Sequence, residues 1–301
     1  MDATPRRLPL VIAAVTSGLV ATAGCHARPS SNESVRAPEG LAVTVRGLGT
    51  DVVLIHGALG DYRQWEPIGG VLSSSYRVIA VSRRFHWPNP PPMAHSLYSF
   101  EEQSEDLNGL LDSLDRPVHL VGHSYGAGVA LLTALRHPDL VRSLTLIEPP
   151  FGSLVPPSAP GFAAELASRD SMVAALRVQV QAGSVEHAAE GLIDWVEGEP
   201  GGFHQLPQAT QDELLTNAAT AGPTYAVPSP RVTCDQLHKL RLPVLVLRGE
   251  QTRPWYRLIA EATANCIRGA ETAVIPAARH MTIVENPSGT ASLVLGFIGR
   301  H

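Results

Sequence analysis

The stretch Pro117-Val118-His119-Leu120-Val121-Gly122-His123-Ser124-Tyr125-Gly126 constrains this chain more than any other. Its first half has the length and apolar content of a buried strand, and Ala130, Leu131, Leu132, Ala134 and Leu135 continue it as a helix. Gly122-His123-Ser124-Tyr125-Gly126 leaves room between them for only a tight turn. A serine at the apex of so sharp a strand-to-helix turn sits in strained backbone. Only small residues two before and two after it let strand and helix approach. Gly122 and Gly126 meet that requirement, so the turn is expected to present the Ser124 hydroxyl at the top of a sheet, beside the first amides of a helix.

Other stretches supply the sheet. Residues 41–45 alternate as a half-buried strand does, while 51–55, 77–81, 143–147, 243–247 and 272–275 are apolar runs typical of buried parallel strands. Helical periodicity marks 100–114, 255–266 and 288–298. Strands alternating with helices predict an α/β fold: a mostly parallel sheet flanked by helices. The pattern changes over 151–231, where Pro-rich joints separate helical stretches at 163–182 and 185–196 and no strand signal intervenes. This predicts a helical cap inserted into a core of 41–150 and 232–301, lying over the site.

The first residues belong to another process. Arg6 and Arg7 precede an uncharged run over 8–23 that ends in Thr22-Ala23-Gly24-Cys25. This reads as an export signal over 1–24, with Cys25 as the lipidation site of a bacterial lipoprotein and 25–40, rich in Ser, Pro and Asn, as a flexible tether. The expected location is a membrane surface reached through that anchor, with a periplasmic or secreted protein as the alternative. Cys234 and Cys266 are then an even pair in an oxidising setting; a bridge and two buried thiols are both open. With 23 basic and 28 acidic residues the net charge is −5, which offers nucleic acid no basic surface. No His-x-x-x-His or Cys-rich spacing suggests a metal, and no cofactor is expected. The expected partner is a small-molecule substrate; oligomeric state is open.

Three motifs carry a family likeness: His56-Gly57 after strand 51–55, Gly122-His123-Ser124-Tyr125-Gly126 at the turn, and Ala278-Arg279-His280 after the last strand. With them the chain resembles the α/β-hydrolase superfamily over nearly all of the region after Gly40. The resemblance implies Ser124 as nucleophile, His280 as general base, and the amides of Ala58 and Tyr125 as oxyanion hole. It implies a serine hydrolase that cleaves an ester, lactone or thioester of small to medium size through an acyl-enzyme. Carbon–carbon bond hydrolysis or perhydrolysis would use the same groups.

The third triad member departs from the usual pattern, because Thr252 stands three residues after Gly249, where most of the superfamily has an Asp. Glu148, directly after strand 143–147 (the sixth of that fold), stands where some haloalkane dehalogenases of the superfamily carry the acid, so Glu148 is the expected acid and Glu250 the alternative. The missing Asp also leaves open a lipoprotein that keeps the scaffold and binds a ligand without turnover. A second departure is Ser82-Arg83-Arg84-Phe85-His86-Trp87-Pro88-Asn89 in place of Asp-x-Arg-Gly-x-Gly-x-Ser. Arg83 and Arg84 are expected in structural ion pairs, with binding of a substrate carboxylate by one of them as the alternative. Trp87, Trp195, Phe203 and Trp255 are expected to pack, with Trp195 and Phe203 as candidates for the wall of an acyl pocket.

Overall fold

The computed structural model describes residues 37–38, 40–93, 98–114, 116–226 and 231–301. The expected export signal, Cys25 and the tether up to residue 36 lie outside the described residues. The first part of the core runs β1 (Ala42–Arg46), β2 (Asp51–Ile55), α1 (Glu66–Leu72), β3 (Arg77–Ser82), α2 (Phe100–Asp112), β4 (Val118–His123), α3 (Tyr125–Arg136) and β5 (Val141–Ile147). Five helices follow without a strand: α4 (Phe162–Gln181), α5 (Val185–Glu197), α6 (Gly202–Gln205), α7 (Gln208–Thr216) and α8 (Ala221–Ala226). The chain then returns through α9 (Cys234–Leu237), β6 (Val244–Gly249), α10 (Pro254–Cys266), β7 (Glu271–Ile275), α11 (Thr282–Glu285) and α12 (Pro287–Ile298).

The strands form a sheet in the order β1-β3-β2-β4-β5-β6-β7, seven among the described residues, with β1 antiparallel to β3 and every other pair parallel. Strand 143–147 is the fifth strand among the described residues. Alternate residues of the central strands feed two cores. Val53, Ile55 and Leu120 pack with Leu107 of α2, Leu131 of α3 and Ile259 of α10 on one face. Val52, Leu54 and Val121 pack with Ile68 of α1 and Phe297 of α12 on the other. Burial on both faces is why β2 and β4 read as unbroken apolar runs.

Local chemistry sets the element ends. Ser99 and Glu102 form a capping box at the start of α2, and Pro254 opens α10 at its first position, one residue before the expected start. The inserted helices add Leu176, Leu192 and Phe203 to the core cluster beneath them. Cys234 and Cys266 are paired as a disulfide, Cα–Cα 4.7 Å, tying α9 to the end of α10. No described helix is long and apolar enough to cross a membrane.

Candidate active site

The geometry begins at the turn between β4 and α3. Ser124 has φ 49° and ψ −118°, a conformation that few L-residues adopt and that surrounding structure must hold. Its amide donates to the Ile147 carbonyl (2.8 Å), which moors the turn to the end of β5. A Cβ at Gly122 would lie 2.6 Å from the Cα of Ala127, and one at Gly126 would strike the Ile55 carbonyl. Both glycines are thus demanded by the crossing of α3 over β2 and β4.

His280 lies in the loop between β7 and α11, and its Nε2 is 3.0 Å from Ser124 Oγ. The loop is held on both sides of the ring. The Arg279 amide donates to Glu285 (2.6 Å), and the Met281 amide donates to Glu197 of α5 (3.1 Å). Glu148 follows β5, with its Oε2 3.2 Å from His280 Nδ1. Its backbone also sits at positive φ, 52°, and its amide donates to the Leu247 carbonyl of β6 (2.9 Å). Its Oε1 accepts from the Gly249 amide (2.7 Å) and its Oε2 from the Thr252 hydroxyl (2.8 Å). Because a carboxylate only accepts, Nδ1 carries the ring proton and Nε2 is left to accept from Ser124. Burial pushes the Glu148 carboxyl up, against the pull of the Gly249 amide and the Thr252 hydroxyl, and pushes the His280 imidazole down. Glu250 is exposed, and its carboxylate accepts from the Ala277 amide (2.9 Å) rather than from the imidazole.

Opposite these groups lies the loop after β2. The Gly57 carbonyl accepts from His56 Nδ1 (2.8 Å) and from Arg83 (2.9 Å). Peptide planarity therefore turns the Ala58 N–H the other way, toward the cleft that Ala58 and Ser124 line together. Among the described residues neither the Ala58 amide nor the Tyr125 amide donates to an acceptor, and both residues line a cleft with Ser124. A second chain of bonds braces the loop: the Gly57 amide donates to Gln64 (2.8 Å), Gln64 to His123 Nδ1 (2.7 Å), and His123 Nε2 to the His280 carbonyl (2.9 Å). Burial pushes His123 down to about 3, so it stays a neutral link.

Arg83 corrects an expectation. It is 2% exposed and has no carboxylate partner among the described residues. Its guanidinium instead holds the Gly57 carbonyl and the Gln103 side chain, and lies 4.6 Å from the centre of the Tyr125 ring. Gln103 in turn donates to the Tyr125 hydroxyl (3.1 Å). Arg84 does pair, with Asp106 at 2.6 Å. Sequence reasoning missed the part Arg83 plays because Gly57 and Gln103 reach it only through folding.

Two clefts, both open to solvent, meet at Ser124, Ala58 and Tyr225. The first arm runs under Leu192, Ile193 and Val196 of α5 to Thr210 and Glu213 of α7. The second runs past Trp195, Trp255 and Tyr256 to Arg169 of α4. Trp195 thus borders the cleft, whereas Phe203 is buried in the core cluster. No described group of three or more His, Cys, Asp or Glu is placed to hold a metal.

Residues 52–293 match the model of the alpha/beta hydrolase family. The chain belongs to that family, and it is an enzyme of the hydrolase class. It is 25% identical over 275 residues, 86% of this chain and 91% of the relative, to 2-(acetamidomethylene)succinate hydrolase of Mesorhizobium japonicum. A fluoroacetate dehalogenase from a Burkholderia species is 31% identical, but over 108 residues, 35% of this chain and 36% of that one. Among solved structures, an esterase of Thermogutta terrifontis superposes with a TM-score of 0.67 at 23% identity, covering 86% of this chain and 93% of that one. The enol-lactonase of Burkholderia xenovorans gives 0.66 at 18%, covering 86% and 94%. At these identities the two structures speak for the fold alone.

Proposed function

We propose that this hydrolase cleaves an ester, lactone or thioester of a small to medium substrate through an acyl-enzyme on Ser124. The reading rests on one observation, the chain of contacts from Ser124 Oγ through His280 to Glu148, facing two amides with no acceptor of their own. His280 Nε2 takes the hydroxyl proton as Oγ attacks the carbonyl carbon, and Glu148 holds the ring in the required tautomer and offsets the imidazolium charge. The oxyanion forms against the amides of Ala58 and Tyr125. His280 then protonates the leaving group, and water, activated by the same ring, releases the acid. The relative named 2-(acetamidomethylene)succinate hydrolase, matched over 86% of this chain, supports a hydrolytic reading. Thr252, which as a missing acid argued for a non-catalytic binder, donates to Glu148 instead.

A fluorophosphonate probe is expected to label the wild type at Ser124 and to leave Ser124→Ala unlabelled, with p-nitrophenyl esters of graded length turned over by the wild type alone. Folded protein that is neither labelled nor active on esters and lactones would overturn the assignment. Export and lipid attachment at Cys25 complete the reading. Labelled palmitate should enter the full chain and be lost in Cys25→Ser; an unlabelled wild type refutes the anchor.

A further inference from the structure

The two arms that meet at Ser124 differ in charge. The arm under α5 carries Glu213, whose carboxyl burial pushes up to about 8, and no Arg or Lys. The arm toward α4 carries Arg169 and no carboxylate. The phenols of Tyr225 and Tyr256 line the same arm, and neither hydroxyl is bonded to another described residue. Burial raises both phenols, Tyr225 to about 12, so both remain O–H donors, and the Arg169 charge is near enough to pull each of them down. Among the described residues the Arg169 guanidinium pairs with its exposed neighbour Asp170, at 3.2 Å, and lies 5.9 Å from the centre of the Trp255 ring. Such a surface pair contributes little and yields readily to a better-placed anion. Trp195 and Trp255 wall the space between Ser124 and this end of the arm.

We propose that the arm ending at Arg169, with the phenols of Tyr225 and Tyr256 along it, binds a carboxylate carried by the substrate, so that the enzyme prefers acyl compounds with one anionic end to neutral analogues. One guanidinium, in an arm whose phenols stay neutral, balances a single negative charge, which matches a carboxylate better than a phosphate dianion. The opposite arm, ending on Glu213, offers the same group no guanidinium or ammonium, and this fixes the direction in which the substrate lies. This inference rests on the hydrolase reading above.

Monomethyl glutarate and methyl pentanoate test it, being esters of similar length that differ in one charge. The wild type is expected to favour the glutarate in kcat/KM by about tenfold or more, the scale of a hydrogen bond to a charged group. Salt should erode the preference, because Arg169 is part-exposed. In Arg169→Met the ratio should fall to near unity, while Arg169→Lys keeps the charge and should retain part of it. A ratio that is near one in the wild type, or unchanged in Arg169→Met, overturns the proposal while Ser124 labelling leaves the hydrolase reading intact. If Ser124 is not labelled, calorimetric binding of the two esters to Ser124→Ala decides the matter alone: tighter glutarate binding, lost in Ser124→Ala/Arg169→Met, supports the arm, and equal binding overturns it.

Discussion

Exchanging the Glu148 carboxylate for an amide is the sharpest perturbation the site offers. Oε1 accepts from a backbone donor, the Gly249 amide at 2.7 Å, which cannot reverse its role. In Glu148→Gln the side-chain oxygen must therefore take that place, and the NH₂ falls where Oε2 now lies, 2.8 Å from the Thr252 hydroxyl and 3.2 Å from His280 Nδ1. The hydroxyl can rotate and accept, but the imidazole can accept at Nδ1 only by moving its proton to Nε2. It then faces Ser124 as a donor and cannot take the serine proton. Imposing the wrong tautomer on a triad histidine lowers kcat by about 10⁴, or about 5 kcal/mol of barrier. The assay is the single-turnover acylation rate with a p-nitrophenyl ester, which isolates the attack. Thr252→Asp in the Glu148→Gln background supplies a carboxylate within reach of the same ring and is expected to recover on the order of 10² of the loss. Glu250→Gln should stay near the wild-type rate, since its carboxylate serves the Ala277 amide. Retention of acylation within tenfold in Glu148→Gln would refute the tautomer argument and the assignment of the acid.

Arg83→Met leaves the Gly57 carbonyl held by His56 alone of its two side-chain donors and loosens the Ala58 amide; kcat should fall by roughly 10²-fold, the lower end for loss of one oxyanion donor, with KM little changed. A boronic acid that mimics the oxyanion should lose affinity in the same proportion, which a merely structural role in a folded variant would not produce. Glu213, raised to about 8 from an ordinary 4.5 by burial and then by the nearby Asp61 charge, binds its proton more tightly folded than unfolded. Its contribution is thus fully present below pH 4.5 and is lost as pH rises toward 8. Glu213→Gln should therefore raise Tm increasingly from pH 5 to pH 8.5 and change it little at pH 4.5; a pH-independent difference would refute the buried neutral acid.

The parts of this fold that could be read from residues alone are those where burial leaves a period or a run. Strands 51–55 and 143–147 were legible because both faces are covered, and α4 and α5 because each is long enough to repeat its apolar positions. The short helices α6, α8, α9 and α11, of four to six residues each, repeat nothing and were not seen. In the site, Ser124 and His280 were marked by motifs whose glycines or chain position the turn geometry requires. Arg83 was misread as half of an ion pair because its partners lie 26 and 20 residues away on other elements. No local pattern separates a buried guanidinium that props a carbonyl from one that meets a carboxylate.

Thr252 shows why a departure from a family pattern need not be a loss. β5 and β6 are neighbours, with Ile147 opposite Leu247, so side chains leaving the two strand ends converge on the same space under His280. An acid may enter that space from either end, provided the other end accommodates it. Here Glu148 enters from β5, its backbone turned to φ 52° and fastened to the Leu247 carbonyl, while the Gly249 amide and Thr252 hydroxyl at the end of β6 receive the carboxylate. Gly249 is required for a second reason, because a Cβ there would run into the carbonyls of Ala278 and Arg279, just before the histidine. An acid at the end of β5 thus goes with donors at the end of β6, where the Thr252 hydroxyl and Gly249 amide receive it. An Asp at 252 beside an intact Glu148 would place two carboxylates within hydrogen-bonding distance in a buried site, where like charges cannot both ionise without large cost.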